Sequence, residues 1–194
     1  PAPLRQLSRS PGGAPIAAIE HVFTGGGPVS PKLLDAASAV LPKATITAMY
    51  GSTEAEPIAH ATAEEVLARR AEIRTSGGIY VGHEVRGVDL RIIRIEHGPI
   101  AIDDGSELAD WEVAAGAPGE VLVAGSHVNR EYWRNPEAVR QNKIVDEVGR
   151  VWHRTGDVAR RDREGGLWLL GRTGARWSLH GRQVWALEVE TPIA

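Results

Sequence analysis

Cysteine is absent from the 194 residues, so disulfides, thiolate metal sites and a cysteine nucleophile are excluded. Lysine is almost absent: Lys32, Lys43 and Lys143 stand beside 19 arginines, and no lysine after Lys143 is available for catalysis. No run approaches the ~18 apolar residues that a membrane span needs. The opening residues Pro1-Ala2-Pro3-Leu4-Arg5 lack the basic-then-apolar pattern of a secretory leader, and the expected location is cytoplasmic. Positive charge is not in excess either. A net charge of −3 and an isoelectric point near 6.2 argue against a nucleic-acid or anionic-membrane partner.

Common ligand signatures are missing as well. There is no G-x-x-x-x-G-K-[ST] phosphate loop and no G-x-S-x-G elbow. Gly25-x-Gly27-x-x-Ser30 lacks the third glycine of a dinucleotide fingerprint. The seven histidines are scattered, with no pair at zinc-ligand spacing. No internal repeat or low-complexity tract is evident.

What is present is ordinary globular composition, 42% hydrophobic and 24% charged. Residues 1–16, rich in Pro, Gly and Ser, read as an irregular lead-in. Ala17 to Thr24 reads as a short buried strand, and Gly25-Gly26-Gly27-Pro28 as a turn. Ser30-Pro31 opens a helix, with serine as N-cap and proline in the first turn. Leu33, Leu34, Ala37, Val40 and Leu41 give it an apolar face. Ala44 to Tyr50 is a second strand, so 17–50 form a strand–helix–strand unit, the building block of a parallel sheet. Thr62 with Glu65 is a capping box for a helix over roughly 63–73.

After Gly77-Gly78 the pattern changes. Val88–Ile95, Gly119–Ala124, Arg150–His153 and Gly166–Leu170 read as short strands spaced by Gly, Pro and Asp turns. One helix, Pro136–Lys143 with Asn135 as cap, interrupts them. This is the pattern of a small antiparallel sheet or barrel, with a boundary near 78–87. Val184–Glu190 reads as the start of a further helical unit.

Four segments carry chemistry. Gly25-Gly26-Gly27-Pro28 after a strand allows a flat ring to approach the backbone closely. Tyr50 ends a strand and offers an aromatic face, followed by Gly51 and the hydroxyls of Ser52 and Thr53. Glu54 is a hard oxygen ligand suited to Mg²⁺. Asp157, read here as lying in a tight turn, can accept hydrogen bonds from a diol, and Gly171-Arg172 follows further along the chain. Ligands of open α/β sheets sit beyond the carboxyl ends of strands, where the first two segments fall. Plainer readings stand beside these: Ser52-Thr53-Glu54 as a helix cap, and Arg154 to Asp157 as a hairpin turn with those two residues paired across it.

Taken in order, these segments resemble the adenylate-forming superfamily of acyl-CoA synthetases, peptide-synthetase adenylation domains and luciferases. The resemblance runs from about His21 to Glu190. It rests on FTGGGPVSPKLL, on AMYGSTEAEP with its Tyr-Gly-x-Thr-Glu signature, and on GEVLVAGSHVNREYWRNPEAV leading to VWHRTGDVARRDREGGLWLLGR. Within the superfamily, YGSTEAEPIAH and VWHRTGD look most like the olefin-biosynthesis β-lactone synthetases.

The resemblance implies an α/β fold. Residues 1–78 would be the end of a parallel-sheet subdomain and 79–171 a small antiparallel, barrel-like subdomain. Residues 172–194 would be a hinge and the start of a C-terminal domain. It implies ATP/AMP and Mg²⁺ as cofactors, a small-molecule carboxylic acid as substrate, and CoA if the product is a thioester. Gly26, Gly27 and Pro28 would line the adenine and Tyr50 would stack on it, with Gly51 and Ser52 completing that segment. Thr53 would hold the α-phosphate, Glu54 the metal and Asp157 the ribose hydroxyls, with Arg172 in support. Thr53 and Glu54 are thus the expected catalytic pair. The family's Ser/Thr-Gly-rich phosphate loop and its catalytic C-terminal lysine are not matched in these residues. Gly174 falls where the family has a hinge acidic or lysine side chain. The expected partner is therefore the remainder of an adenylating enzyme. The alternative is a non-catalytic module that keeps the fold and binds a nucleotide or a partner.

Overall fold

The computed structural model describes residues 1–8, 16–102 and 107–193. The expected irregular lead-in begins instead with a helix, α1 (Ala2–Ser8). Leu4 and Leu7, three residues apart, share the face that packs on the next helix. Residues 9–15 lie outside the described residues. β1 (His21–Thr24) and β2 (Thr45–Ser52) pair in parallel from His21↔Thr45 to Thr24↔Ala48. α2 (Pro31–Val40) crosses between them, with Ser30 Oγ accepting from the Leu33 amide at 3.3 Å.

Ser52-Thr53-Glu54 does not cap a helix. Thr53 and Glu54 form a two-residue turn into β3 (Ala55–Thr62), which runs antiparallel to β2. A helix starting at Ser52 would carry Pro57 in its interior, at a cost of ~3 kcal/mol. The sheet instead buries Ala55, Ile58, Ala59 and Ala61. The capping box is present: Glu65 accepts from the Thr62 amide at 2.7 Å and Thr62 Oγ1 from the Glu65 amide at 3.2 Å. The single expected helix is two, α3 (Ala63–Ala68) and α4 (Arg70–Ser76), broken at Arg69. The Arg69 guanidinium lies 4.0 Å from the centre of the Tyr80 ring.

Beyond Gly78, β4 (Ile79–Glu84) joins β3 to the rest of the sheet. There follow β5 (Val88–Ile93), β6 (Gly119–Gly125), α5 (Pro136–Asn142) and β7 (Lys143–Val145). The chain continues through β8 (Val151–Arg161), β9 (Leu167–Arg172), the hairpin β10 (Arg176–Leu179) and β11 (Arg182–Trp185), and α6 (Ala186–Ile193). The main sheet has the order β1-β2-β3-β4-β9-β8-β6-β5, with β7 also on β8. Every pairing after β1–β2 is antiparallel. β4 and β5 end the path β4-β9-β8-β6-β5 yet are joined by three residues. Strands sit ~4.8 Å apart, so five laid flat would be too wide for that link, and the sheet curls like a barrel. No ladder closes β5 onto β4 among the described residues. Trp152, Trp168 and Trp185 are buried in this part, whereas Trp133 and Trp177 are exposed.

The turns before and after β8 share one design. Asp146 accepts from the Trp152 indole at 2.8 Å and from the Arg150 and Val148 amides at 2.7 and 3.2 Å. Asp162 accepts from the Trp168 indole at 2.9 Å and from the Gly166 and Glu164 amides at 2.7 and 3.0 Å. Gly149 and Gly165 supply the left-handed residue in each, at φ 79° and 85°. The shared spacing is Asp-x-x-Gly-x-x-Trp.

Candidate functional site: a cleft closed by Asp157 and a carboxylate at the β2–β3 turn

A cleft of about 470 Å³ lies against the ends of β1, β2 and β9, and its walls include Gly26, Gly27, Pro28, Tyr50, Asp157 and Arg172. Gly51 also lies on its wall. The glycines have separate reasons. A side chain at Gly25 would meet the Met49 carbonyl at 2.8 Å, so glycine lets the turn lie on β2. Gly26 has φ 73°, with open space where a side chain would stand.

Arg154-Thr155-Gly156-Asp157 is not the expected hairpin turn; it lies inside β8. Leu122 pairs with Arg154 and Glu120 with Val158, so three residues of β8 stand opposite Val121 alone. Side chains complete this bulge. Thr155 Oγ1 donates to the Val121 carbonyl at 2.9 Å and accepts from the Asp157 amide at 3.0 Å. Gly156 takes φ 70°. Nor do Arg154 and Asp157 pair with each other. Arg154 turns inward to Glu120, at 2.7 Å from Oε2, both side chains being buried. It also donates to the carbonyls of Glu96 at 2.7 Å, Gln141 at 3.3 Å and Gly98. The bulge turns Asp157 outward to the cleft.

There Asp157 Oδ2 accepts from the Tyr50 hydroxyl at 2.9 Å and Oδ1 from Arg172 Nη1 at 2.7 Å. Asp157 and Arg172 are direct cross-strand neighbours. Burial, then the Asp157 charge and the hydrogen bond to it, pushes the Tyr50 phenol well above its usual 10. Tyr50 is therefore a neutral donor whose ring is fixed as a wall of the cleft. A carboxylate offers about four lone-pair directions, so Asp157 retains capacity for a further donor.

Ser52, Thr53 and Glu54 do not line the cleft. They sit at the β2–β3 turn, where Ser52 Oγ is buried without a hydrogen-bond partner and Thr53 is exposed. Glu54 is held by its carbonyl, which accepts from the Asn129 amide at 2.7 Å, and by Oε1, which accepts from the Tyr132 hydroxyl at 2.9 Å. Burial opposes ionisation of Glu54. The Tyr132 bond, its own backbone amide, His153 and Lys143 outweigh burial and hold the carboxyl below its usual range. Burial and the bond to Glu54 push the Tyr132 phenol up to about 12.

Lys143, the only lysine of the second half, has its Nζ 5.1 Å from the centre of the Tyr132 ring and donates to the Asn129 carbonyl. Burial pushes it down to about 8, with Glu54 acting the other way. His153, its cross-strand neighbour, is pushed down to about 4, chiefly by burial and then by Lys143. Its Nε2 is 3.9 Å from Glu54 Oε2, a contact that is ionic only when the ring is protonated. Tyr132, Lys143 and His153 were not marked by the sequence. No spacing links them to Glu54; only the folded sheet does.

The chain belongs to the AMP-binding enzyme family, which residues 2–133 match. It is 34% identical over 185 residues to the olefin beta-lactone synthetase of Stenotrophomonas maltophilia, covering 91% of this chain and 32% of that protein. It is 26% identical over 176 residues to 4-coumarate–CoA ligase 3 of Arabidopsis thaliana, covering 91% of this chain and 28% of the ligase. Among solved structures, the amide bond synthetase McbA of Marinactinospora thermotolerans superposes with a TM-score of 0.70 at 30% identity, over 95% of this chain and 33% of McbA. The chain thus spans about a third of the length of these relatives.

Proposed function

We propose that these residues form the nucleotide side of an enzyme that activates a carboxylic acid as its acyl-adenylate. The observation that carries this reading is Asp157, placed by the bulge of β8 at the edge of a cleft whose other wall is Gly26-Gly27-Pro28 and Tyr50. The glycine turn and the Tyr50 ring hold the adenine. Asp157, steadied by Arg172, accepts from the ribose hydroxyls. Thr53, exposed at the β2–β3 turn, donates to α-phosphate oxygens.

Among the described residues no three acidic or histidine side chains gather for a metal. One carboxylate at a turn fits a Mg²⁺ that keeps water and phosphate as its other ligands, and Glu54 is the residue to hold it. Such a cation offsets negative charge on the phosphates. A carboxylate oxygen of the acid attacks the α-phosphorus, the bond from that phosphorus to the β-phosphate's bridging oxygen breaks, and pyrophosphate leaves. The residues of the chain contribute by positioning and charge stabilisation.

The acid is a fatty or 3-hydroxy fatty acid in this reading. The acyl carbon is then attacked by the acid's own 3-hydroxyl, closing a β-lactone, or by the CoA thiol, giving a thioester; in either case the acyl–oxygen bond to phosphate breaks, AMP leaves and the attacking group gives up its proton. Likeness to a protein named olefin beta-lactone synthetase supports the first, and likeness to a CoA ligase the second. The chain by itself is proposed to be inactive, completed in the full protein by a phosphate loop and a C-terminal lysine.

The test is ATP–pyrophosphate exchange by the full-length protein with fatty and 3-hydroxy fatty acids, and product analysis with and without CoA. Thr53→Ala and Glu54→Gln should lower turnover far more than thermal stability. Loss of stability with turnover per folded molecule intact would overturn the assignment.

A further inference from the structure

Glu54 is unusual among the candidate residues in being tied at both backbone and side chain to one distant segment. Residues 129–132 lie between β6 and α5, far from the β2–β3 turn in sequence. Asn129 donates its amide to the Glu54 carbonyl at 2.7 Å, and Tyr132 donates its hydroxyl to Glu54 Oε1 at 2.9 Å. Lys143 holds that segment in turn, through the Asn129 carbonyl and the face of the Tyr132 ring. The second oxygen of Glu54 is left differently. It faces His153 Nε2 at 3.9 Å. His153 Nδ1 lies 3.3 Å from the Asn142 carbonyl. A carbonyl only accepts, so Nδ1 carries a proton in that contact.

We propose that Tyr132 is a positioning residue for Glu54: its hydroxyl fixes Oε1 so that Oε2 is presented to a divalent cation carried on the nucleotide phosphates. This rests on the reading of Glu54 given above. Tyr132 does not touch the cation or the nucleotide; it acts by removing the rotational freedom of the carboxylate. Lys143 supports it through the ring and the Asn129 tie. Hydrogen bonds of this outer kind orient a ligand and are worth about ten- to a hundredfold in metal affinity.

The experiment measures Mn²⁺ binding to the full-length protein with ATP by electron paramagnetic resonance, for the unsubstituted protein, Tyr132→Phe and Glu54→Gln. AMP affinity is measured separately in the presence of chelator. Phenylalanine keeps the ring beside Lys143 and removes only the hydroxyl, and circular dichroism checks the fold of each variant. The expected result is about a tenfold loss of Mn²⁺ affinity in Tyr132→Phe, a larger loss in Glu54→Gln, and AMP affinity within about twofold in both. If Tyr132→Phe matches the unsubstituted protein while Glu54→Gln loses the metal, the positioning role is overturned and the reading of Glu54 stands. If Tyr132→Phe loses AMP and Mn²⁺ equally, the bond is structural and the proposal also fails. If Glu54→Gln leaves Mn²⁺ affinity unchanged, both fall together.

Discussion

Asp157 binds Tyr50 and Arg172 at the same time, one carboxylate oxygen to each, at 2.9 and 2.7 Å. The two contacts are unequal in what they contribute. The Tyr50 bond is shielded, whereas the Arg172 side chain is 65% exposed and its pairing is screened by water.

Removing either end of the Tyr50 bond should therefore be felt. Asp157→Ala strands the buried hydroxyl and should cost about 1–3 kcal/mol, with Tyr50→Phe nearer 1. The double variant should cost less than the sum, because the second change removes a group the first had orphaned. Arg172→Ala should cost well under 1 kcal/mol. Urea denaturation of the four proteins checks this. The pH dependence has a definite sign. The Tyr50 phenol is raised on folding, so its contribution is intact below pH 10 and is lost as pH rises above that value. Tyr50→Phe should lose that alkaline fall.

The buried pair of Arg154 and Glu120 should be more sensitive. Arg154→Met leaves a buried carboxylate and strips the donor from three carbonyls, which should cost about 3–5 kcal/mol. Glu120→Gln keeps an acceptor and leaves the three carbonyl contacts in place, so the loss should be smaller. Chemical unfolding ranks the two; an equal or reversed order would show that the carbonyl contacts contribute little.

Three glycine-to-alanine changes should separate strain from collision. At Gly26 the added methyl meets nothing, and only the left-handed backbone is penalised, by about 1–2 kcal/mol. At Gly156 the same penalty applies, and the methyl stands 3.4 Å from the exposed Arg172 guanidinium, a contact that side chain accommodates, so the cost should match that at Gly26. At Gly82 the methyl would lie 1.8 Å from the His60 carbonyl, across the β3–β4 pairing. Gly82→Ala should not fold to the same sheet, which soluble yield and circular dichroism would report.

Acid should act through Asp146 and Asp162. Burial opposes ionisation of both, but the indole and amide donors outweigh it and depress each carboxyl on folding. Their contribution is full above the unfolded value of about 3.9 and disappears as pH falls through the depressed folded values. Asp146→Asn and Asp162→Asn should each be less stable at pH 7 and show a shallower loss between pH 4 and pH 2, read from melting temperatures.

Residues 17–50 were legible because each element announces itself locally, whereas α1 stands where an irregular lead-in was expected. Ser30-Pro31 starts α2, its leucines face the core, and the flanking apolar runs pair in parallel as expected. β3 was missed because AEPIAHAT has little β propensity and alternates weakly; its burial comes from neighbours on both sides. The site shows the same division. Gly26, Gly27, Pro28, Tyr50, Gly51, Asp157 and Arg172 converge on one cleft. The form of the Asp157 segment was misread because Thr-Gly-Asp has the composition of a turn. That Thr155 replaces a missing ladder bond is a property of the strand opposite. Tyr132, Lys143 and His153 were invisible for the same reason: the pairing of β7 with β8 and the tie at Asn129 bring them to Glu54.

The twin aspartate–tryptophan turns bear on this directly. They lie at the two ends of β8, and the strand between them carries the bulge from which Asp157 projects. A rope fastened at one end can take up slack by creeping; fastened at both, it holds its kink where it was tied. Sliding β8 by one residue would break both fastenings at once, so the surplus length at Thr155-Gly156-Asp157 has nowhere to run out. Loosening either end by substitution should therefore disturb Asp157 from a distance, at residues that never approach the cleft.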